Sequence, residues 1–249
     1  MVHDIERGSD ATTGAAGTWC LVVLDRDGVL NRRPSYRLGP DAIEAIPGAG
    51  EAVGKLRAAG CAVAVLSSQS CVGYGFVVPE IVDETMDCLH EQLRGQCPAS
   101  SGPVPAGPLQ CAEARSTDCC FDAIAYSIGT GAAATACLAD LADDSDAKPS
   151  PTLAILAAQS LGLSLRGHDG GCLPSVSGYM VGDRASDLAT AVAAGLQPVL
   201  VLTGNGKATL KELEGSPLLA SAWVEADVLA FANRVHATLR PAGQGKAKG

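Results

Sequence analysis

Aromatic residues make up only 4% of the 249 positions, and no apolar run approaches the length of a membrane span. The first shortage means that any core must be built from Val, Leu, Ile and Ala. The second argues against a membrane protein. Positive charge is scarce too: 18 Lys and Arg stand against 27 Asp and Glu, a net charge of −9. Apart from Lys246 and Lys248 there is no basic cluster, so neither nucleic acid nor an anionic membrane is an expected partner. Residues Met1 to Gly17 carry Asp4, Glu6 and Asp10 without an apolar stretch, unlike a secretory signal. They read as a disordered tail on a cytoplasmic protein whose ten cysteines are reduced. No two cysteines stand in a Cys-x-x-Cys spacing, and most read as small buried hydrophobes.

What the chain does have is alternation. Apolar runs at Leu21–Leu24, Cys61–Leu66, Phe121–Ser127, Ser177–Val181 and Pro198–Leu202 read as buried strands. Between them fall helix patterns at Gly50–Ala59 (Val53 and Leu56 inward), Pro79–Arg94 (Ile81, Val82, Met86 and Leu89 inward), Pro151–Leu161 (Leu153, Leu156 and Ala157 inward) and Leu188–Ala194. A last helix is expected over Val224–Leu239. Strands alternating with helices predict an α/β fold, a Rossmann-like parallel sheet sandwiched by helices. The predicted domain spans 18–240. It is interrupted by an irregular Cys/Pro/Gly-rich insertion over about 95–118 and by a small, acidic loop over about 127–147, with a short helix near Ala132–Leu141. No large cap domain is expected, and 241–249 read as a second disordered tail.

The first apolar run ends in Asp25-Arg26-Asp27-Gly28. Carboxylates two apart on a continuing strand face one way, at the sheet edge where α/β proteins place ligands. Two like charges so close call for a cation, and the hard, oxygen-seeking Mg²⁺ fits. Alone, the pair equally suits a solvated turn. It does not stand alone: the second strand ends in Ser67, Lys148 precedes Pro149 before a helix, and a later strand ends in Asp183, with Asp187 following. Taken singly, Ser67 also suits a helix N-cap, Lys148 a solvated side chain, and Asp187 a first-turn acid on a helix dipole.

In this order the segments DRDGVLN (25–31), LSSQS (66–70), KPSP (148–151) and MVGDRASD (180–187) resemble the haloacid dehalogenase (HAD) superfamily of phosphotransferases. The finer pattern is similar to the branch holding heptose-bisphosphate phosphatases and the phosphatase part of histidinol-phosphate enzymes, over roughly residues 19 to 210. The resemblance implies Asp25 as nucleophile, Asp27 as acid and base, Ser67 and Lys148 as phosphoryl-binding groups, and Mg²⁺ held by Asp25, the Asp27 carbonyl and Asp183. Asp187 would orient Lys148 or a metal-bound water. Arg33, Tyr36, Ser68, Gln69, Ser70 and Arg184 are candidate substrate contacts.

The chain also departs from that branch. Where its members carry zinc-binding Cys and His before the lysine, this sequence has Ser127, Ile128 and Gly129, with Cys137 alone nearby. Cys97, Cys111, Cys119 and Cys120 of the insertion lack ligand spacing, so no zinc is expected. Two arginines of the branch are replaced by Tyr74 and Ala147, which removes the usual bidentate phosphate anchors. Arg32, Arg33, Arg37 or Arg184 are the possible substitutes. The expected function is a Mg²⁺-dependent phosphatase of a small phosphorylated metabolite, such as a sugar, polyol or histidinol-type phosphate ester, acting as a monomer or weak homo-oligomer. A HAD phosphotransferase or mutase, or a non-catalytic binding protein on the same scaffold, are the alternatives.

Overall fold

Strand β1 (Cys20–Asp25) is buried along its whole length, as a strand flanked on both sides in a parallel sheet must be. On one side it pairs with β2 (Cys61–Ser68), which pairs with β3 (Ala123–Ser127). On the other it pairs with β5 (Ser175–Gly182), followed by β6 (Gln197–Val201) and β7 (Trp223–Glu225). The sheet order is therefore β3-β2-β1-β5-β6-β7, all parallel, and the two-residue β4 (Ser164–Leu165) adds a rung to β5. The structure is a computed structural model that describes residues 20–32, 39–97, 121–127, 147–165 and 175–239. No helix among the described residues is long and apolar enough to cross a membrane.

Parallel neighbours need crossover connections. Helix α1 (Ala49–Ala58) joins β1 to β2, and α2 (Ser70–Gly73) and α3 (Pro79–Gln96) follow β2. Helix α4 (Thr152–Ser160) precedes β4, and α5 (Ala185–Ala193) joins β5 to β6. Helices α6 (Gly206–Glu212) and α7 (Pro217–Ser221) lead to β7, and α8 (Val228–Leu239) ends the described chain. The period-two alternation of β1 divides the core into two layers. Val22 and Leu24 pack with Val53 and Leu56 of α1, Leu89 and Leu93 of α3 and Phe231 of α8. Leu21 and Val23 pack with Leu153 and Ala157 of α4 and Ala191 of α5. Both faces are thus covered, and the expected sandwich is what forms.

The chain steps outward from β1 to β3, then returns to the opposite side of β1 as β5. That reversal is the switch point at which open α/β sheets bind ligands beyond the strand ends. Asp25 ends β1, and Asp183 follows the last residue of β5.

Several local expectations change. Strand β2 runs one residue past the expected end at Ser67, and Ser67 and Ser68 pair with Tyr126 and Ser127. Helix α3 runs to Gln96, so it takes the first residues assigned to the insertion. Its buried face is Val82, Met86, Leu89 and Leu93, with Ile81 half-buried. In α4 the alanines Ala154 and Ala158 fill the core and Leu156 is half-buried. The last helix begins at Val228 because Asp227 accepts the Ala230 N–H at 2.8 Å as an N-cap, which leaves Trp223–Glu225 to extend the sheet. Helices α6 and α7 were not expected at all. The tails 1–17 and 241–249, the insertion beyond Cys97 and the expected helix near Ala132–Leu141 lie outside the described residues.

Phe231 anchors α8 to the sheet. It is fully buried and meets Tyr179 edge-on at 5.3 Å between ring centroids, while Tyr179 packs on Trp223 at 5.2 Å. Phe231→Ala should cost about 3–5 kcal/mol, the range for deleting a buried aromatic side chain. Urea denaturation measures it, and a loss under about 1 kcal/mol would mean that α8 contributes little to the fold.

Candidate active site

The turn leaving β1 is wound tightly around one carbonyl. Arg26 O accepts the N–H groups of Leu30 and Asn31 at 2.9 and 3.2 Å, and Gly28 N donates to Asn31 O at 2.8 Å. Gly28 has φ +93°, and a Cβ there would lie 2.2 Å from Asp183 Oδ2. Glycine is needed both for the backbone conformation and for the carboxylate that lies against it.

Six charged side chains converge on this rim. Asp25 is buried, and Lys148 Nζ lies 2.5 Å from its Oδ1 and 2.6 Å from Asp187 Oδ1. Burial pushes the Asp25 carboxyl up to about 7; Lys148 opposes that rise, while the Asp187 and Asp27 charges reinforce it. For Lys148, burial favours the neutral amine, but the flanking Asp25 and Asp187 outweigh it and hold the ammonium charged. Both oxygens of Asp187 are engaged: its Oδ1 takes Lys148 and its Oδ2 takes the Arg184 N–H at 3.0 Å. Of the two expected roles for Asp187, orienting Lys148 is the one this geometry fits.

Asp27 has partners of its own. Arg26 Nη2 lies 2.8 Å from its Oδ2 and 3.1 Å from its Oδ1, and Asn31 Nδ2 donates to Oδ1 at 2.9 Å. Burial raises the Asp27 pKa, but the Arg26 guanidinium and the Asn31 amide outweigh it and leave the carboxyl below its ordinary value. Arg26 itself is buried, with 6% of its side chain exposed.

Asp183 is wholly buried. Its Oδ2 accepts the Asn205 backbone N–H at 2.6 Å and Asn205 Nδ2 at 3.0 Å. Its Oδ1 has no hydrogen-bond partner among the described residues; Arg184 Nε comes only to 3.9 Å. Burial raises its pKa, and the Asn205 N–H pulls the other way. Carboxylate oxygens of Asp25, Asp183 and Asp187 lie within 4.8 Å of one another. Since Asp187 is engaged elsewhere, Asp25 and the orphaned Asp183 Oδ1 are the side-chain groups left for a hard cation, and an all-oxygen set suits Mg²⁺. The Asp27 carboxylate is not in this cluster, which is consistent with a role through its backbone carbonyl.

Across the rim, Ser67 is buried at the end of β2 and its Oγ accepts Gln69 Nε2 at 2.6 Å. Gln69 N donates to Ser127 O at 2.7 Å, which holds the turn onto β3. Gln69 is buried, whereas Ser68 and Ser70 are exposed beside it. Arg184 stands half-exposed at the start of α5. Arg32 is exposed and paired with Glu44 at 2.9 Å. Arg33, Tyr36, Arg37, Cys111, Cys119, Cys120 and Cys137 lie outside the described residues.

Two groups went unread in the sequence. Arg26 occupies the free position of Asp-x-Asp, and Asn205 lies in a turn that looked merely polar. The available signal for Asn205 was its place after β6, at the same sheet edge as Asp183.

A buried carboxylate, a charged lysine across it and, among the described residues, an unpartnered acidic oxygen thus meet at the switch point of the sheet. A family model described as HAD-hydrolase-like matches residues 146–226. The D-glycero-beta-D-manno-heptose-1,7-bisphosphate 7-phosphatase of Pseudomonas putida is 28% identical over 199 residues, 77% of this chain and 87% of that one. The D-glycero-D-manno-heptose-1,7-bisphosphate 7-phosphatase of Thermosynechococcus vestitus is 30% identical over 196 residues, 78% and 83% of the two chains. Among solved structures, D,D-heptose 1,7-bisphosphate phosphatase from B. bronchiseptica, complexed with magnesium and phosphate, superposes with a TM-score of 0.62 at 25% identity, over 88% of this chain and 99% of that one. The chain belongs to the HAD superfamily and, within it, to the phosphatase family of these relatives. It is a HAD-type phosphatase, a phosphoric monoester hydrolase.

The raised Asp25 pKa has a consequence for stability. A carboxyl that binds its proton more tightly when folded contributes stability that is complete below its unfolded pKa of about 3.9 and is lost as pH rises to about 7. In the presence of a chelator, Asp25→Asn should therefore lose less stability than the wild type between about pH 4 and about pH 8. Urea denaturation at both pH values measures the difference, and equal losses would show that Asp25 titrates normally.

Proposed function

We propose that this chain is a Mg²⁺-dependent phosphatase acting on a phosphorylated sugar of the class its relatives act on, through an aspartyl-phosphate on Asp25. The observation that carries this reading is Lys148 set between Asp25 and Asp187, beside an unpartnered oxygen of Asp183. Residues 18–240 are read as one catalytic domain without a large cap.

Phosphoryl transfer requires chiefly positioning and charge neutralisation. The Asp25 carboxylate attacks phosphorus and forms an acyl phosphate, which splits one difficult hydrolysis into two easier steps. Asp27 gives a proton to the departing alkoxide, then takes one from the water that hydrolyses the acyl phosphate. The bond to Arg26 suits the second task, because it keeps Asp27 ionised at rest. A substrate dianion arriving beside Asp27 raises its proton affinity for the first. Lys148 and the Ser67 hydroxyl stabilise charge on the transferring phosphoryl oxygens. Asp25, Asp183 and the Asp27 carbonyl are the groups that would hold Mg²⁺, which shields the nucleophile from the phosphate's charge. Ser68, Gln69, Ser70 and Arg184, with Arg33 and Tyr36, are read as the contacts to the rest of the substrate.

Two outcomes check this reading. Hydrolysis of p-nitrophenyl phosphate should fall to background in Asp25→Asn and on chelation, and return with Mg²⁺. Failure of the wild type to hydrolyse any phosphate ester would favour a binding protein instead. On a sugar-phosphate panel, the replacement of two arginines by Tyr74, 71% exposed, and Ala147 predicts little gain from a second phosphate. Heptose bisphosphate should exceed the best monophosphate in kcat/KM by no more than about tenfold, about 1.4 kcal/mol. A much larger ratio would show that other groups anchor the distal phosphate.

A further inference from the structure

We infer that Asn205 sets the affinity of the metal site by fixing the rotamer of Asp183, so that Oδ1 alone is presented to the cation. This rests on the reading that Asp25 and Asp183 hold a divalent ion.

The geometry is one-sided. Both donors of Asn205, backbone N and Nδ2, point at Asp183 Oδ2, at 2.6 and 3.0 Å. The same oxygen lies against Gly28 and Gly204, where a Cβ would come within 2.2 and 2.1 Å. Among the described residues, that leaves Oδ1 buried and unpartnered. Rotating the carboxylate out of this plane would pull its oxygen away from both Asn205 donors and so lose two hydrogen bonds to a charged acceptor. A carboxylate with one oxygen saturated and the other bare is pre-organised for one ligand on the bare side.

Asn205 also behaves unlike a residue placed for the helix it precedes. Asparagine is a favoured N-cap because its side-chain oxygen accepts a helix N–H. Asn205 occupies the N-cap of α6 and makes no such bond; its amide is turned to Asp183 instead. Its neighbour Thr203 donates through Oγ1 to Gly28 O at 2.6 Å, and Thr209 donates to the backbone carbonyl of Asp183 at 2.8 Å. The segment after β6 therefore grips both the Asp27 turn and Asp183, and Asn205 is the member of it that holds the carboxylate itself.

Asn205 is thus a positioning residue. Groups that orient a metal ligand are worth about 10–100-fold in metal affinity. The test is calorimetric titration of the full chain with MgCl₂, together with the melting temperature with and without Mg²⁺. Asn205→Ala should bind Mg²⁺ at least about tenfold more weakly than wild type, with an activity deficit that shrinks as Mg²⁺ is raised. Asn205→Ser, which keeps a shorter donor, should fall between the two. Thr209→Val removes a bond to the Asp183 backbone but none to its carboxylate, so it should lower the metal-free melting temperature and leave the Mg²⁺ Kd at the wild-type value. If Asn205→Ala and Asn205→Ser bind Mg²⁺ as the wild type does, the inference is overturned. It is overturned also if Thr209→Val weakens binding as much as they do, since general loosening would then explain the loss. A wild type that binds no Mg²⁺ overturns the metal reading first, a result distinct from either of these.

Discussion

Concentrated buried charge is the constraint on which the rest of this structure depends. Asp25, Asp27, Asp183 and Asp187 meet at one sheet edge, and the buried cations beside them are Lys148 and Arg26. Each carboxylate is reconciled with burial differently. Asp187 is satisfied by Lys148 and a backbone N–H. Asp27 is satisfied by Arg26 and Asn31. Asp25 shares Lys148, and burial still pushes its carboxyl up to about 7. Asp183 is half satisfied, by Asn205 on one oxygen. The remaining deficit of positive charge falls between Asp25 and Asp183, the place where a divalent cation and then a phosphate would bind. A site neutral at rest would have less reason to take up a cation before a dianion arrives.

The fold makes this concentration possible because strands deliver residues to the rim without regard to their distance in sequence. Asp25 and Lys148 are 123 positions apart and touch. Asp183 and Asn205 are 22 apart and meet because β5 and β6 are neighbours in register. The helices bury the strands on both faces, which excludes water from the base of the site and strengthens each interaction there. The closeness of Gly28, Gly204 and Asp183 is part of the same arrangement: two further backbone segments can approach one carboxylate because each carries glycine there.

The sequence made the strand-end residues legible where an apolar run stopped at a polar group, as at Asp25, Ser67 and Asp183. Lys148 was legible from Lys-Pro-Ser-Pro before a helix. The alternation of strands and helices gave the sheet class, because both periods were strong and both were local. What escaped depends on contacts that no local pattern carries. Arg26 looks solvated in sequence, yet folds back under α3 with one guanidinium nitrogen 4.0 Å from Met86 Sδ. Asn205 looks like an ordinary turn residue until β6 is placed beside β5. The start of α8 was misjudged because Trp223–Glu225 is apolar enough for either period, and pairing with β6 decided it. The inward face of α3 is legible at Val82, Met86 and Leu89, whereas Ile81, in the first turn of the helix, is only half-buried.

The division between buried and exposed groups also separates what is chemically fixed from what is free to differ. Removing Lys148 would leave Asp25 and Asp187 buried without their common cation, a penalty of several kcal/mol in stability as well as in catalysis. Replacing Tyr74, Ser68 or Ser70 disturbs side chains that are largely in solvent, where substitutions usually change stability by less than about 0.5 kcal/mol. The exposed residues beside the site can therefore be exchanged at little structural cost, while the buried charged groups are held in place by one another. On the proposed reading Tyr74 and Ala147 take the place of phosphate-anchoring arginines, and Ala147 adjoins Lys148 itself. Selectivity for the leaving group can thus change within one residue of the chemistry without disturbing the charge balance on which the chemistry rests.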